Sequence, residues 1–494
     1  MHDRIAAEAT PEETPTAVRF ANPSRRASLA VLARTHVVFL VALAAGIAIR
    51  VVVILAYTPG FFYPDSRQYL GNAQPLFTHF VPDIHRPLGY SGYLGVFLHI
   101  GDPIRLAIIG QHLLGLCIAL AVYTLLVRAG VRGWLATIGV LPVLLDTLQL
   151  DLEHYVMADV LCEALAVFAF VLLLWHRRRP PPVWAAAVAG LLLSLGVITR
   201  YAAIALIAPA LGYLLLRWGG WRAAGRRVAA LLAAFLVPIV LYAVDFHGHY
   251  GSYSITASGG QFLYGRVGPL ADCSRFSVPA AEQILCLGDK NDPRRDTSYL
   301  IWSPKSPFYA LKPTATRTPD QLAGDFAKRA IKAQPRRFAW SIVQSYAHSL
   351  RPTRAAGGSQ YWEFHRGMPG TGINQQRLSD DFDGGNVRVR PTLSGFMTHY
   401  STYAYWPGSL DVVAIVLALV AAAGVGRARG SGVRIRCLVL VAVGFLAVVP
   451  NDVLSIFGWR YHLQSLPFYP AVAVLAVAAL WDGRRLAGRT GRPG

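Results

Sequence analysis

Ten apolar runs separated by arginine-rich loops constrain this chain more than anything else in it. A helix rises about 1.5 Å per residue, so a hydrocarbon core about 30 Å thick takes about 20 apolar residues to cross. Runs of this kind lie at 36–57, 104–127, 133–150, 155–175, 183–199, 201–217, 228–246, 408–426, 434–450 and 463–481. With 54% hydrophobic and only 15% charged residues, the chain reads as an all-α polytopic membrane protein with about 10 transmembrane helices, which argues against a soluble enzyme. The first run is longer than a signal-peptide core and no small-residue cleavage site follows it, so it reads as a retained helix.

Arginine sets the topology. Arg128 and Arg132 follow the second run, Arg177 to Arg179 the fourth, Arg217 to Arg227 the sixth, Arg427 to Arg436 the eighth, and Arg484 to Arg492 the tenth. Alternate loops are therefore basic, and short basic loops stay cytoplasmic. Both termini fall on that side. The net charge of +20 is spent on these loops, so no nucleic-acid partner is expected. Lysine occurs only at 290, 305, 312, 328 and 332, an arginine bias that points to a GC-rich bacterial genome and hence to a bacterial plasma membrane.

The expected layout is a disordered cytoplasmic tail at 1–35, a seven-span core at 36–246 with an external loop at 58–103, an exoplasmic domain at 247–407, three further spans at 408–481 and a basic cytoplasmic tail at 482–494. The exoplasmic domain reads as mixed, with a β-prone opening at Ser252–Ile255, a helix from Asp320 to Leu350, and loops at Gly357-Gly358 and Gly384-Gly385. Cys273 and Cys286 close a short loop in an oxidising compartment and are expected to form a disulfide.

Asp65 is the leading candidate for chemistry. It follows Phe61, Phe62 and Tyr63 and precedes Tyr69, an aromatic cuff that would limit water and keep the carboxylate basic enough for proton abstraction. Arg86, Arg200 and Arg460 all fall near the outer surface, and guanidinium forks match phosphate oxygens. Singly, each reads as an interfacial anchor; several on one cavity would read as a phosphate site. A second acidic stretch, Asp151 to Asp159, contains Glu153 and His154, and Asp159 and Glu163 share a helical face. Pairing with Arg50 or His112 is its structural alternative. The scattered His85, His247 and His249 give no metal-ligand spacing, so no metal ligands are expected. P-loop, dinucleotide-glycine and GxSxG motifs are missing.

These residues resemble the GT-C membrane glycosyltransferases, in particular the branch related to protein O-mannosyltransferases and the lipid A aminoarabinose transferase. The similarity rests on Asp65-x-x-x-Tyr69 in the first external loop, on Arg86-Pro87-Leu88-Gly89-Tyr90, on Met157-Ala158-Asp159-Val160, on Thr199-Arg200 and on Arg460-Tyr461. It covers the first 200 residues and, more loosely, the last 40. Ser66 and Gln68 stand where the aminoarabinose enzyme has Glu and Arg, and Arg67 is the nearest substitute.

The resemblance implies a GT-C-like fold and inverting transfer of a sugar from a polyprenyl-phosphate donor to a glycan, protein or lipid acceptor at the outer face. Asp65 would be the general base, and Arg86, Arg200 and Arg460 would bind the donor phosphate. Glu153, Asp159 and His154 would support the site, and Tyr63, Tyr69 and Tyr90 would line the substrate pocket. Membrane lipid is the surrounding partner. It fixes no cofactor, and a divalent metal is left open. The alternative from another class is a lipid or solute transporter or flippase, which also uses charged residues within spans. Against it stand the lack of an internal repeat and the long external segment.

Overall fold

The computed structural model describes residues 25–487 apart from 77, 99, 218–219, 289–294, 355–363, 370–372, 431 and 455–457. The chain enters through α1 (Arg25–Ala56) and passes a two-residue strand β1 (Tyr57–Thr58). The loop that follows carries α2 (Pro64–Ala73) and α3 (Gly89–Gly95). Next come α4 (Pro103–Arg128), α5 (Gly133–Ile138), α6 (Leu141–Leu145), α7 (Thr147–His154), α8 (Asp159–Leu174) and α9 (Val183–Thr199). A 3-10 turn at Tyr201–Leu206 leads into α10 (Ile207–Arg217) and α11 (Gly220–Tyr250).

The segment beyond holds α12 (Gly259–Val267), α13 (Thr297–Trp302), α14 (Pro319–Ala333), α15 (Pro335–Ser349), α16 (Gln375–Asp380), β2 (Arg388–Val389) and α17 (Pro391–Ser401). The chain closes with α18 (Gly408–Ala423), α19 (Arg434–Leu454), α20 (Trp459–His462) and α21 (Tyr469–Ala487). Among the described residues, five helical stretches are long and apolar enough to cross a membrane: His36–Ala56, Pro103–Arg128, Gly220–Tyr250, Arg434–Leu454 and Trp459–Asp482. Three shorter apolar helices accompany them, Val183–Thr199, Tyr201–Arg217 and Gly408–Ala423. The chain is a mostly helical, multi-pass membrane protein.

The run at 133–150 is not one helix. Pro142 sits in the first turn of α6, and Asp146 leaves the helical conformation to cap α7, its carboxylate accepting from the Leu148 amide at 2.7 Å. Proline cannot continue the preceding turn and an Asp cap starts a new one. Every residue of α7 is consequently buried. The helix expected from Asp320 to Leu350 is likewise two helices, because Gln334 precedes Pro335 and takes a non-helical conformation.

Two further expectations shift. Residues 252–255 form bends rather than a strand, and Tyr253 there is 73% exposed, so no packed face stabilises pairing. The strand of this segment is β2, which pairs antiparallel with β1, Tyr57 opposite Val389. At the N-terminus α1 begins at Arg25, inside the expected tail; the tail upstream of it and Gly357-Gly358 lie outside the described residues.

The apolar packing divides into four clusters. The largest joins α4, α8, α9, α11, α19 and α21. A separate one, around Tyr264, Leu300 and Phe326, holds α12, α13 and α14 together, and the disulfide between Cys273 and Cys286 lies at its edge. Asp146 ties the apolar bundle to the segment beyond α11. Its carboxylate receives both Nη atoms of Arg354 at 2.7 Å and the Trp406 amide at 2.6 Å. Removing one member of a buried pair leaves an uncompensated charge, which costs about 3–5 kcal/mol. Arg354→Met is therefore expected to lower the thermal unfolding midpoint of the purified protein sharply, and Asp146→Asn in the same chain to recover part of it, since the amide removes the uncompensated charge while its single oxygen still accepts from one of the two backbone amides.

Candidate active site

The loop between α1 and α4 is built to hold Asp65. Pro64 opens α2, so Asp65 lies in the first helical turn, where a carboxylate is favoured by the exposed amides and the helix dipole. The entry is braced by neighbouring backbone. Phe61 donates to the His154 carbonyl at 2.8 Å, the Val156 amide donates to the Phe61 carbonyl at 2.9 Å, and the Ser66 hydroxyl donates to the Val156 carbonyl at 2.8 Å.

Arg86 reaches Asp65 from further along the same loop, Nη2 to Oδ1 at 2.6 Å. Its position depends on Asp83, whose Oδ1 accepts the His85 and Arg86 amides at 2.7 and 2.8 Å. Both oxygens of Asp83 also take Gln68 Nε2 at 2.8 Å, and Gln68 Oε1 accepts Arg86 Nε at 2.8 Å. Gln68 thus orients the arginine from the position where the aminoarabinose-type loop has an arginine of its own. Arg67 is exposed and takes no part. Gly89 starts α3 against the end of α9, where a Cβ would lie 2.6 Å from Thr199 Oγ1.

Two more arginines complete the cluster. Arg460, in α20, places Nη1 3.2 Å from Asp65 Oδ2 and Nε 3.2 Å from Asp159 Oδ1. Arg200, immediately after α9, also hydrogen-bonds Asp159 Oδ1 through Nη1. The result is a chain of alternating charge, Arg86, Asp65, Arg460, Asp159, Arg200, assembled from four distant parts of the sequence. All three arginines picked out from the sequence converge here. Asp159 Oδ2 is buried without a hydrogen-bond partner among the described residues, an acceptor that would be costly to leave unmet unless a ligand uses it.

Aromatic rings surround the chain. Arg86 lies over Tyr69 at 5.4 Å and over Trp302 at 5.8 Å; Arg460 lies over Tyr63 at 5.9 Å, and both Arg460 and Arg200 over Tyr461, at 5.4 and 5.3 Å. Tyr90 stands behind Tyr69, edge to face at 4.9 Å, with its hydroxyl on Gln111 at 2.7 Å. It is fully buried and supports the wall from behind.

The electrostatics differ from the expectation for Asp65. Burial alone would raise its pKa, but the guanidiniums of Arg86 and Arg460, with Arg200 beyond, outweigh it and hold the carboxyl below its ordinary value. The resting carboxylate is ionised and a weak base. Burial raises the Tyr69 phenol despite the same arginines.

Glu153 and His154, expected to support the site, belong to a different network. Glu153 Oε1 meets Arg50 Nη2 at 2.7 Å, and Oε2 meets His112 Nδ1 at 2.8 Å. His112 Nε2 lies 3.1 Å from His154 Nδ1. The pairing with Arg50 and His112 that was the alternative for the acidic stretch thus applies to Glu153, while Asp159 turns to the arginine cluster. Asp83 and Trp302 were not singled out in the sequence, and Gln68 and Tyr461 were noted there only as positions in motifs, without a role. Of these, Asp83 carries a readable signal, an Asx residue two before the His85-Arg86 turn it caps. Among the described residues, no group of three or more His, Cys, Asp or Glu side chains is placed to hold a metal.

Residues 100–254 match the family model described as dolichyl-phosphate-mannose-protein mannosyltransferase. No curated protein matches the sequence. Among solved structures, the oligosaccharyltransferase of Archaeoglobus fulgidus, tethered to an acceptor peptide, superposes with TM-score 0.45 at 12% identity over 90% of this chain and 50% of its own. ArnT from Cupriavidus metallidurans, bound to undecaprenyl phosphate, gives TM-score 0.34 at 16% identity over 90% of this chain and 78% of its own. This chain thus spans half the length of the oligosaccharyltransferase. The family match runs from α4 to α11 and takes in Asp159 and Arg200, leaving Asp65, Arg86 and Arg460 outside it. Over residues 100–254, about a third of its length, the chain is similar to the dolichyl-phosphate-mannose-protein mannosyltransferase family.

Proposed function

We propose that the protein is an inverting glycosyltransferase of a bacterial plasma membrane, transferring a sugar from a polyprenyl-phosphate donor to an acceptor hydroxyl at the extracytoplasmic face. Both termini are cytoplasmic in this reading and residues 247–407 extracytoplasmic. The observation that carries it is the convergence of Arg86, Arg460 and Arg200 on Asp65 and Asp159, supported by the mannosyltransferase-family match. A donor phosphate competes with the two carboxylates for the guanidiniums, which bind phosphate in the same forked geometry.

Drawing Arg86 and Arg460 onto the phosphate frees Asp65 from the charges that depress its basicity. The acceptor oxygen then attacks the anomeric carbon as its proton passes to Asp65, and the bond from that carbon to the phosphate oxygen breaks. The arginines stabilise the charge left on the leaving phosphate. The unpaired Oδ2 of Asp159 accepts a hydroxyl of the bound sugar. Tyr63 and Tyr69 line the pocket.

Transfer of label from polyprenyl-phosphate sugars by the purified protein in lipid tests this reading. Asp65→Asn is expected to lower kcat at least about 100-fold, the lower range for loss of a general base; near-normal transfer would sink the assignment. Gln in place of Arg86, Arg200 or Arg460 should each weaken donor binding about tenfold, as loss of one charge-assisted hydrogen bond does. Because the folded-state pKa of Asp65 is depressed, the kcat/KM profile should stay flat down through the ordinary carboxylate range near pH ~4. It should fall only as pH drops through the lowered value, and the stabilisation from the Asp65 ion pairs should be lost over the same window.

A further inference from the structure

The basic turn between α8 and α9 borders an open cavity of about 300 Å³ lined by Arg128, Trp175, His176, Arg177, Arg178 and Arg179. No acidic residue lines it. The turn's own carbonyls are taken by other arginines: Arg436 donates to Leu174 and His176 at 3.1 and 2.7 Å, Arg217 to Arg177 at 3.3 Å, and Arg227 to Pro181 at 2.7 Å. That clamp fixes the backbone so that the lining guanidiniums face a common space. Arg128 stacks on Trp175 at 4.3 Å, and Arg177 Nη2 is buried without a hydrogen-bond partner among the described residues. Burial and the guanidiniums of Arg436 and Arg178 hold Arg177 below the usual arginine value, so like charges are crowded here.

We propose that this cavity is an anion site for a phosphate group, separate from the Asp65 cluster, with a phospholipid headgroup or a free phosphate as its source. Planar guanidiniums around one space match phosphate oxygens, and basic clusters flanking a membrane helix attract anionic headgroups. The test uses the full-length protein in phosphatidylcholine nanodiscs, with phosphatidylglycerol or inorganic phosphate added, reading lipid retention by native mass spectrometry and the thermal midpoint. Wild type should retain and be stabilised by one of the two, and Arg128→Gln with Arg177→Gln should weaken that binding at least about tenfold. Stabilisation by phosphate identifies the free ion as the source; stabilisation by phosphatidylglycerol alone identifies the headgroup. No effect of either, or an equal loss in a control bearing Arg222→Gln and Arg226→Gln, overturns the site.

Hydrogen-bond polarity in the Glu153 network independently points to a stored proton. His154 Nε2 lies 2.7 Å from the Tyr57 carbonyl, which can only accept, so that nitrogen carries hydrogen. On a neutral ring His154 Nδ1 then accepts, and His112 Nε2, 3.1 Å away, carries hydrogen too. The 2.8 Å contact of His112 Nδ1 with Glu153 Oε2 therefore needs a third proton, on one atom or the other. Two neutral imidazoles and an ionised carboxylate hold only two. The groups shown facing this chain are Arg50 from α1, Gln149 from α7 with Glu163 of α8 behind it, and the Tyr57 ring.

His112 and His154 are thus positioning residues: the proton keeps intact the chain that grips Tyr57, the start of the loop bearing Asp65. Its loss sets two lone pairs against each other and loosens that grip. Wild type is expected to lose activity at alkaline pH as this proton leaves; Glu153→Gln supplies an amide N–H that cannot titrate, so this variant should keep neutral-pH transfer and lack that alkaline fall. His154→Leu should lower kcat about 100-fold with donor KM unchanged, as a misplaced catalytic group does. An unchanged alkaline limb in Glu153→Gln overturns the inference. So does ¹⁵N-histidine NMR with infrared spectroscopy finding two N–H groups and an ionised Glu153. The spectroscopic count needs no transfer activity, so its outcome is separable from failure of the proposed reaction.

Discussion

The charge alternation from Arg86 through Asp65, Arg460 and Asp159 to Arg200 is the constraint on which the rest of the site depends. Its members come from the first loop, the start of α8, the end of α9 and the turn before α21. A carboxylate taken out of water without a partner is severely penalised, and a guanidinium likewise. Each link therefore requires its neighbours to be in place before the whole is tolerable. Four segments far apart in sequence must arrive together, which makes the cluster a condition on the fold as much as a product of it.

Two other buried polar groups repeat that logic. Asp146 binds Arg354 and the Trp406 amide, and Glu153 binds Arg50 and His112. Gly115 shows how little room the second has, since a Cβ there would fall 1.7 Å from Glu153 Oε1. Between them these groups fix both flanks of α7. The short β1–β2 pairing continues the link outward, with the Arg390 amide donating to the Ala56 carbonyl at 2.8 Å just beyond it.

Much of this was legible in the sequence because membrane chains leave few places for charge. Asp65, Arg86, Arg200 and Arg460 stood out at the ends of apolar runs, and they meet. Glu153 and His154 were grouped with Asp159 by proximity along the chain. The structure parts them because α7 ends at His154, and Tyr155 turns extended before α8 begins. Asp83 escaped notice, and Gln68 was read only as a departure from the aminoarabinose-type loop, since their role is to orient Arg86, which depends on a loop geometry that spacing does not encode. The single span read at 133–150 failed for a local reason, Pro142 followed by the Asp146 cap, that hydropathy averages over.

The alternating chain also has a sum. Three guanidiniums and two carboxylates give 3 − 2 = +1 at rest. In the proposed reaction the donor is a phosphodiester of charge about −1, so the occupied site is neutral. Transfer turns the lipid into a monoester that can carry −2, and at the same step Asp65 takes the acceptor's proton, raising the cluster to +2. The product complex is neutral again, which keeps the leaving group held through the reaction. When Asp65 then gives its proton to water, the cluster returns to +1 against a dianion and the site carries a net negative charge. Proton release to the outer medium would thereby act as the step that ejects the spent lipid.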